Sequence, residues 1–329
     1  MKNLVLKAAV LVALGLLSIQ ASATGLINIP AAGIAVSAGT GQPTGGTSAY
    51  ALCNTTGNFC SGTSTPPSST LYNTCAVFPS SITTSPVSGF TLVADIIRSI
   101  SANNTYTNNT TVTIASMRDL VWRNSANTEC IYGKRISMSD TSANTNVDFN
   151  PSLANRQYME VNDIALGGFS STAAANLQVG YYYTSATDEV IFRIGKAFTG
   201  VQMQADASNT NNVAANYYKQ PLTTPAPTSG KEINGVGQTT TPPGNPAQSQ
   251  QTAEIRSNWF DFTTDVTPFD EDGTSYKDSA MLYVRAACTS AAPVAVANTV
   301  RIRQAGQETQ PLVTVTSTGY APPGANSNF

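Results

Sequence analysis

From Phe90 onward the chain is cut into short runs rich in Val, Ile, Thr, Tyr and Phe, separated by clusters of Asn, Ser, Gly and Asp. That texture belongs to strands and turns. The runs at 90–99, 110–122, 130–138, 158–166, 177–184 and 189–198 read as strands, as do 255–265, 281–287, 299–303 and 311–316 further on. Residues 120–132 read as a hairpin turning through 124–128, and a second hairpin is expected through 185–188. In the run from Leu177 the odd positions Leu177, Val179, Tyr181 and Tyr183 share one face. Val190, Phe192 and Ile194 likewise alternate with Ile191 and Arg193, and Val300 and Ile302 with Arg301 and Arg303. Each pattern predicts a sheet with one dry and one wet side. The fold class that follows is all-β, an antiparallel β-sandwich with long Gly/Ser/Thr/Pro-rich loops.

Composition supports this reading. Only 11% of the 329 residues are charged, against about 25% in an ordinary domain, which argues against a long helical bundle. The formal net charge is −2, no footprint for a phosphate backbone, so nucleic-acid binding is not expected. The chain has no histidine, which removes Ser-His-Asp and Cys-His catalysis and the commonest metal ligand.

Lys2 and Lys7 flank the start of an apolar run ending at Leu17, followed by Ala21-Ser22-Ala23. This is the order of a secretory signal peptide over 1–23, cut after Ala23. The run is too short to span a bilayer, and no later stretch suits a membrane helix, so no integral membrane segment is expected. The address is secreted, periplasmic or cell-surface, and bacterial origin is inferred from acceptor-like Asn-x-Thr strings that a eukaryotic route would glycosylate.

Residues 24–85 form a Gly/Ser/Thr-rich, cysteine-containing N-terminal segment whose composition loops and does not build a core. Residues 86–329 form the sandwich domain, interrupted by a Pro/Thr-rich loop at 220–251. The strands beyond that loop are expected to complete the sheets begun before it. Spacing does not choose among the pairings of the five cysteines. The expected set is one local bridge among Cys53, Cys60 and Cys75 and a long one from Cys130 to Cys288, since an oxidising compartment permits disulfides. An N-terminal arm, 25–29 and 34–36, carries apolar residues two apart and could add as a strand to a neighbouring molecule. Its other outcome is an edge strand on its own domain.

Two patterns could carry chemistry. Asp265, Asp270, Asp272 and Asp278 precede or follow the Asp272-Gly273 turn. They read first as a solvated acidic turn, with a calcium site as the alternative, because hard cations take six to eight oxygens. Glycosidases need two carboxylates on either side of one bond, and Glu160, Asp163, Asp188, Glu189, Glu254 and Asp261 are the candidates near aromatic residues. Tyr181, Tyr182 and Tyr183 with Trp122 and Trp259 suggest sugar stacking, against a plain core face. The function expected is a non-enzymatic structural, matrix, filament or adhesin-like protein, partnered by itself or by a surface polysaccharide. The alternative is a carbohydrate-binding protein or a histidine-independent glycoside hydrolase.

Overall fold

The computed structural model describes residues 25–30, 34–36, 46–48, 50–53, 66–70, 74–169, 177–196, 258–269, 276–305 and 311–325. The leader 1–23, the tract 220–251, Cys60, Glu254, Asp270 and Asp272 lie outside them. The strands are β1 (Ile27–Asn28), β2 (Ile34–Val36), β3 (Gly46–Ser48), β4 (Tyr50–Leu52), β5 (Phe90–Ala102), β6 (Val112–Asn124), β7 (Glu129–Met138), β8 (Val161–Gly167), β9 (Gln178–Tyr182), β10 (Asp188–Glu189), β11 (Arg193–Gly195), β12 (Trp259–Val266), β13 (Asp278–Ser279), β14 (Met281–Ala287), β15 (Val294–Ala305) and β16 (Leu312–Ala321).

They form a β-sandwich. In the first sheet β5 pairs with β6 and β6 with β7. The far side of β7 takes β14, followed by β9 and β1, and then β13, followed by β10. The second sheet runs β16-β15-β8-β12-β11-β4, and β2 and β3 make a separate ribbon. Among the described strands every pairing is antiparallel except β10 with β13, and the isolated bridge Ala76↔Tyr181 is also parallel. The hairpin through 124–128 is made, with β6 and β7 in register from Ala115↔Met138 to Arg123↔Cys130 and Asn127 supplying a positive φ of 57° at the turn. The inner faces share one core, to which the first sheet gives Val121, Tyr132 and Val284 and the second Ile164, Phe260 and Ile302. β12, β14, β15 and β16, all beyond residue 251, sit inside these sheets, so the late strands complete both.

Three expectations are corrected. The hairpin through 185–188 does not form: β9 lies between β1 and β14, and β11 lies in the other sheet between β12 and β4. The reason is in 190–194, where Val190, Ile191, Phe192 and Ile194 are all buried. A chain crossing between two sheets meets that demand, and a hairpin with a wet face does not. The faces expected to be wet are also dry, since Arg193, Arg301 and Arg303 are 4–6% exposed. Finally, the N-terminal segment does contribute to the core. Ile29, Ala51, Cys53, Cys75 and Ala76 are buried in it, β1 and β4 each end a sheet, and the arm at Ile27 pairs with Val179 of its own domain. A few apolar residues placed at sheet ends do this, and the average composition of the segment hides them.

Two disulfides fasten these parts. Cys53 joins Cys75, tying the loop after β4 to the strip beside β9. Cys130 joins Cys288 with Cα atoms 5.6 Å apart and a sequence separation of 158. In the chain-entropy account a loop of that length contributes about 5 kcal/mol by restricting the unfolded state.

Both sheets also bury part of their outer faces by the same device, a tryptophan laid across a glycine. On the first sheet a Cβ at Gly133 would stand 2.5 Å from the Trp122 ring. The indole Nε1 of Trp122 donates to the Thr83 carbonyl at 2.9 Å, and Ile82, Val87 and Phe90 close over this second apolar layer. On the second sheet a Cβ at Gly167 would stand 2.6 Å from the Trp259 ring, which the Arg301 guanidinium covers at 4.3 Å.

Candidate functional site

The carboxylates proposed from sequence fall into separate places. Asp163 on β8 and Asp261 on β12 come together on the outer face of the second sheet. Register sets Arg303, Asp163, Thr263 and Arg193 in one row across β15, β8, β12 and β11. The next row sets Arg301, Ala165, Asp261 and Gly195. Asp163 therefore faces a guanidinium, whereas Asp261 is flanked by a methyl group and a hydrogen, and its near neighbour on the diagonal is Asp163. Burial, then the charge of Asp163 and the hydrogen bond shared with it, push Asp261 well above the ordinary carboxylate range, and Arg303 only partly opposes them. The protonated form of Asp261 is thus favoured, as expected where two carboxyl groups share a site. Both have zero exposure. A glycoside bond needs access from outside to both groups, so the pair matches a glycosidase in residue type and differs from one in access.

Asp188 closes the turn after β9. It accepts from the Thr184 amide at 2.8 Å, from the hydroxyls of Thr184 and Ser185, and from Arg135 at 2.5 Å. Arg135 also lies 3.5 Å from Asp278, which accepts from the Ser137 hydroxyl. Asp278 therefore shares a single guanidinium with Asp188, which holds it more closely. Asp265 sits near the end of β12, and Asp270 and Asp272 lie outside the described residues, among which no group of three or more metal-type ligands occurs. Glu160 accepts from the Asn162 amide at 2.6 Å. Glu189 is buried, and that burial lifts its carboxyl well above the usual range.

The tyrosine triplet and both tryptophans are structural. Tyr181, Trp122 and Trp259 are at most 1% exposed, and Tyr182 packs on the outer layer of the first sheet. An open aromatic site occurs elsewhere, in a depression of about 280 Å³ lined by Thr141, Ser142, Asn155, Arg156, Gln157 and Tyr158. Tyr158 donates to Asp140 at 3.0 Å, and its ring lies 6.3 Å from that of Phe269, which is 55% exposed.

Two features escaped the sequence reading. The first is a charge cluster between the sheets. Asp119 on β6 takes the Lys134 ammonium at 2.5 Å, Arg98 Nε at 2.8 Å and the Tyr320 amide at 2.8 Å, and Lys134 also donates to the Tyr320 carbonyl at 3.0 Å. The parity of Cys130, Tyr132, Lys134 and Ile136 would have placed that lysine inward. The second is β5. It is an outermost strand of the first sheet, and Val93, Ile96 and Ile97 are 41%, 41% and 71% exposed on it. Three large apolar side chains standing in water on one edge strand mark a contact surface more than they mark chance.

Searches of protein-family models, curated proteins and solved structures each find no match to this chain.

Proposed function

We propose that the protein acts outside the cytoplasm as a non-enzymatic contact protein, a structural, matrix or filament component or an adhesin-like module. The exposed apolar edge of β5 carries this reading, because a surface of that kind has its use in meeting another chain. Two disulfides and the leader pattern at 1–23 support the compartment. Among the described residues no helix is long and apolar enough to cross a membrane. Fractionation of the producing cells, with protease added to intact cells, tests the proposal. The expected result is oxidised protein that begins at Thr24 and is accessible from outside, and a reduced, full-length cytoplasmic protein would overturn it.

A second reading, saccharide binding, is favoured by the depression at Tyr158. An aromatic ring beside amide, hydroxyl and guanidinium groups is what a sugar's apolar face and its diols require. Titration with surface polysaccharide fragments, comparing wild type with Tyr158→Ala, separates this reading from the first.

A further inference from the structure

β5 runs 13 residues, pairs along one side with β6 and, among the described residues, pairs with nothing on the other. Register shifts at Leu92/Ala94 and Ile100/Ser101 leave 94–100 as an unbroken ladder. Edges are ordinarily guarded by charges that point at an incoming strand. The charges of this one are engaged within the molecule. Asp95 is held by Arg118 through two hydrogen bonds at 2.9 and 2.6 Å, while Arg98 turns inward to Asp119 and stacks on Tyr320 with its guanidinium 4.7 Å from the ring centre. The other long edge strand, β16, differs, since among its described side chains the exposed ones are the hydroxyls Thr314 and Thr316.

We propose that β5 pairs antiparallel with β5 of a second copy of this chain, about a two-fold axis through Ile97, so that the two first sheets become one. An axis perpendicular to the sheet keeps each face on its own side, so residues meet only others of the same face. With Ile97 on the axis, the outer face sets Ile97 against Ile97 and Asp95 against the second copy's Ser99, whose hydroxyl can donate to the carboxylate. The face toward the second sheet sets Ala94 against Ile100 and Ile96 against the aliphatic stem of Arg98. An axis through Ile96 instead sets the Asp95 carboxylate against Ile97 and Ala94 against Arg98, which matches neither charge nor shape. The Ile97 register joins unpaired backbone donors and acceptors and covers the most exposed apolar side chain of the strand. The proposal rests on the contact-protein reading for its use in the cell, and on strand geometry alone for its register.

Sedimentation velocity of the purified, oxidised protein over a concentration series tests it. Wild type is expected to dimerise reversibly. Ile97→Lys and Ile97→Asp, each placing like charges across the axis, should weaken self-association at least tenfold while keeping the wild-type melting curve. Mixing these two variants should restore a dimer, because residue 97 then meets its opposite charge, whereas Thr314→Lys on β16 should dimerise as wild type does. A wild type that stays monomeric throughout, or a mixture that stays monomeric, overturns the proposal. Cellular location is measured separately, so a cytoplasmic dimer would sink the functional reading and keep the register, and an extracellular monomer would do the reverse.

Discussion

Asp119 and Asp261 each lie in the middle of a sheet with no solvent exposure, and the chain around them treats the two carboxyl groups in opposite ways. Asp119 has Lys134 directly opposite on β7, Arg98 on β5 and the Tyr320 amide of β16. It therefore fastens the first sheet to the last strand of the second. Asp261 has Ala165 and Gly195 on its flanks and a second acid beside it. A buried charge persists as a charge when donors surround it, and gives the charge up when small apolar groups do. Asp119 is surrounded by donors, whereas Asp261 has none of them and is driven toward its protonated form. The difference teaches where this fold depends on electrostatics, which is between the sheets, and where it tolerates a proton, which is on the outer face.

The largest way to break that contrast is to empty the first site. Asp119→Ala leaves Lys134 buried beside a single carbonyl, and removing one partner of a buried pair costs about 3–5 kcal/mol. The denaturation midpoint, measured with disulfides intact, should fall accordingly. The double variant Asp119→Leu/Lys134→Met should recover most of the loss, because an apolar pair of similar volume removes the stranded charge. If the single variant is as stable as wild type, the cluster does not hold the sheets together.

The next effect sharpens the comparison by disturbing the second site without touching a charge. Gly167→Ala drives a methyl group into the Trp259 ring, whose nearest atom lies 2.6 Å from where that carbon would stand. The ring must shift, carrying Arg301 with it. Overpacking of this kind costs about 1–3 kcal/mol. Gly133→Ala, against Trp122 at 2.5 Å, should cost a similar amount. Unequal losses would show that the two tryptophan–glycine contacts bear different loads.

The sequence disclosed most strands and hid most of these side-chain relations, for one physical reason. Period-two alternation fixes which residues share a face, so Val179 with Tyr181 and Val300 with Ile302 were legible. Whether a face is wet depends on what other segments lay over it, and nothing local records that. Arg193, Arg301 and Arg303 read as solvated and are buried. Asp163 and Asp261 were both named as candidate acids, yet they stand 98 positions apart in the chain, and only the β8–β12 register makes them neighbours. The Cys130–Cys288 bridge is a contact of the same long-range kind. The hairpin through 185–188 failed where local turn chemistry was right, since Asp188 does close a turn, but the strand after it was claimed by the other sheet.

The smallest expected effect is a slope with pH, and it isolates the protonated carboxyl. An unfolded Asp titrates near 3.8, while native Asp261 holds its proton well above that. Between those two values the native state binds a proton that the unfolded state has released, so raising the pH favours unfolding. The contribution is therefore complete below about 3.8 and is lost as pH rises through the native value. Glu189, raised by burial from 4.5, acts in the same direction. Asp95, lowered by its hydrogen bond to Arg118, acts in the opposite direction and only below 3.8, so its window is separate. Wild type should accordingly be more stable just above pH 4 than at pH 8. Asp261→Asn keeps the shape, removes the proton and should flatten part of that decline, with Glu189→Gln removing a further share. Melting temperatures of the three proteins across this range decide it. An Asn variant with the full wild-type slope would mean that Asp261 ionises freely in the folded protein, and the contrast with Asp119 would then rest on geometry alone.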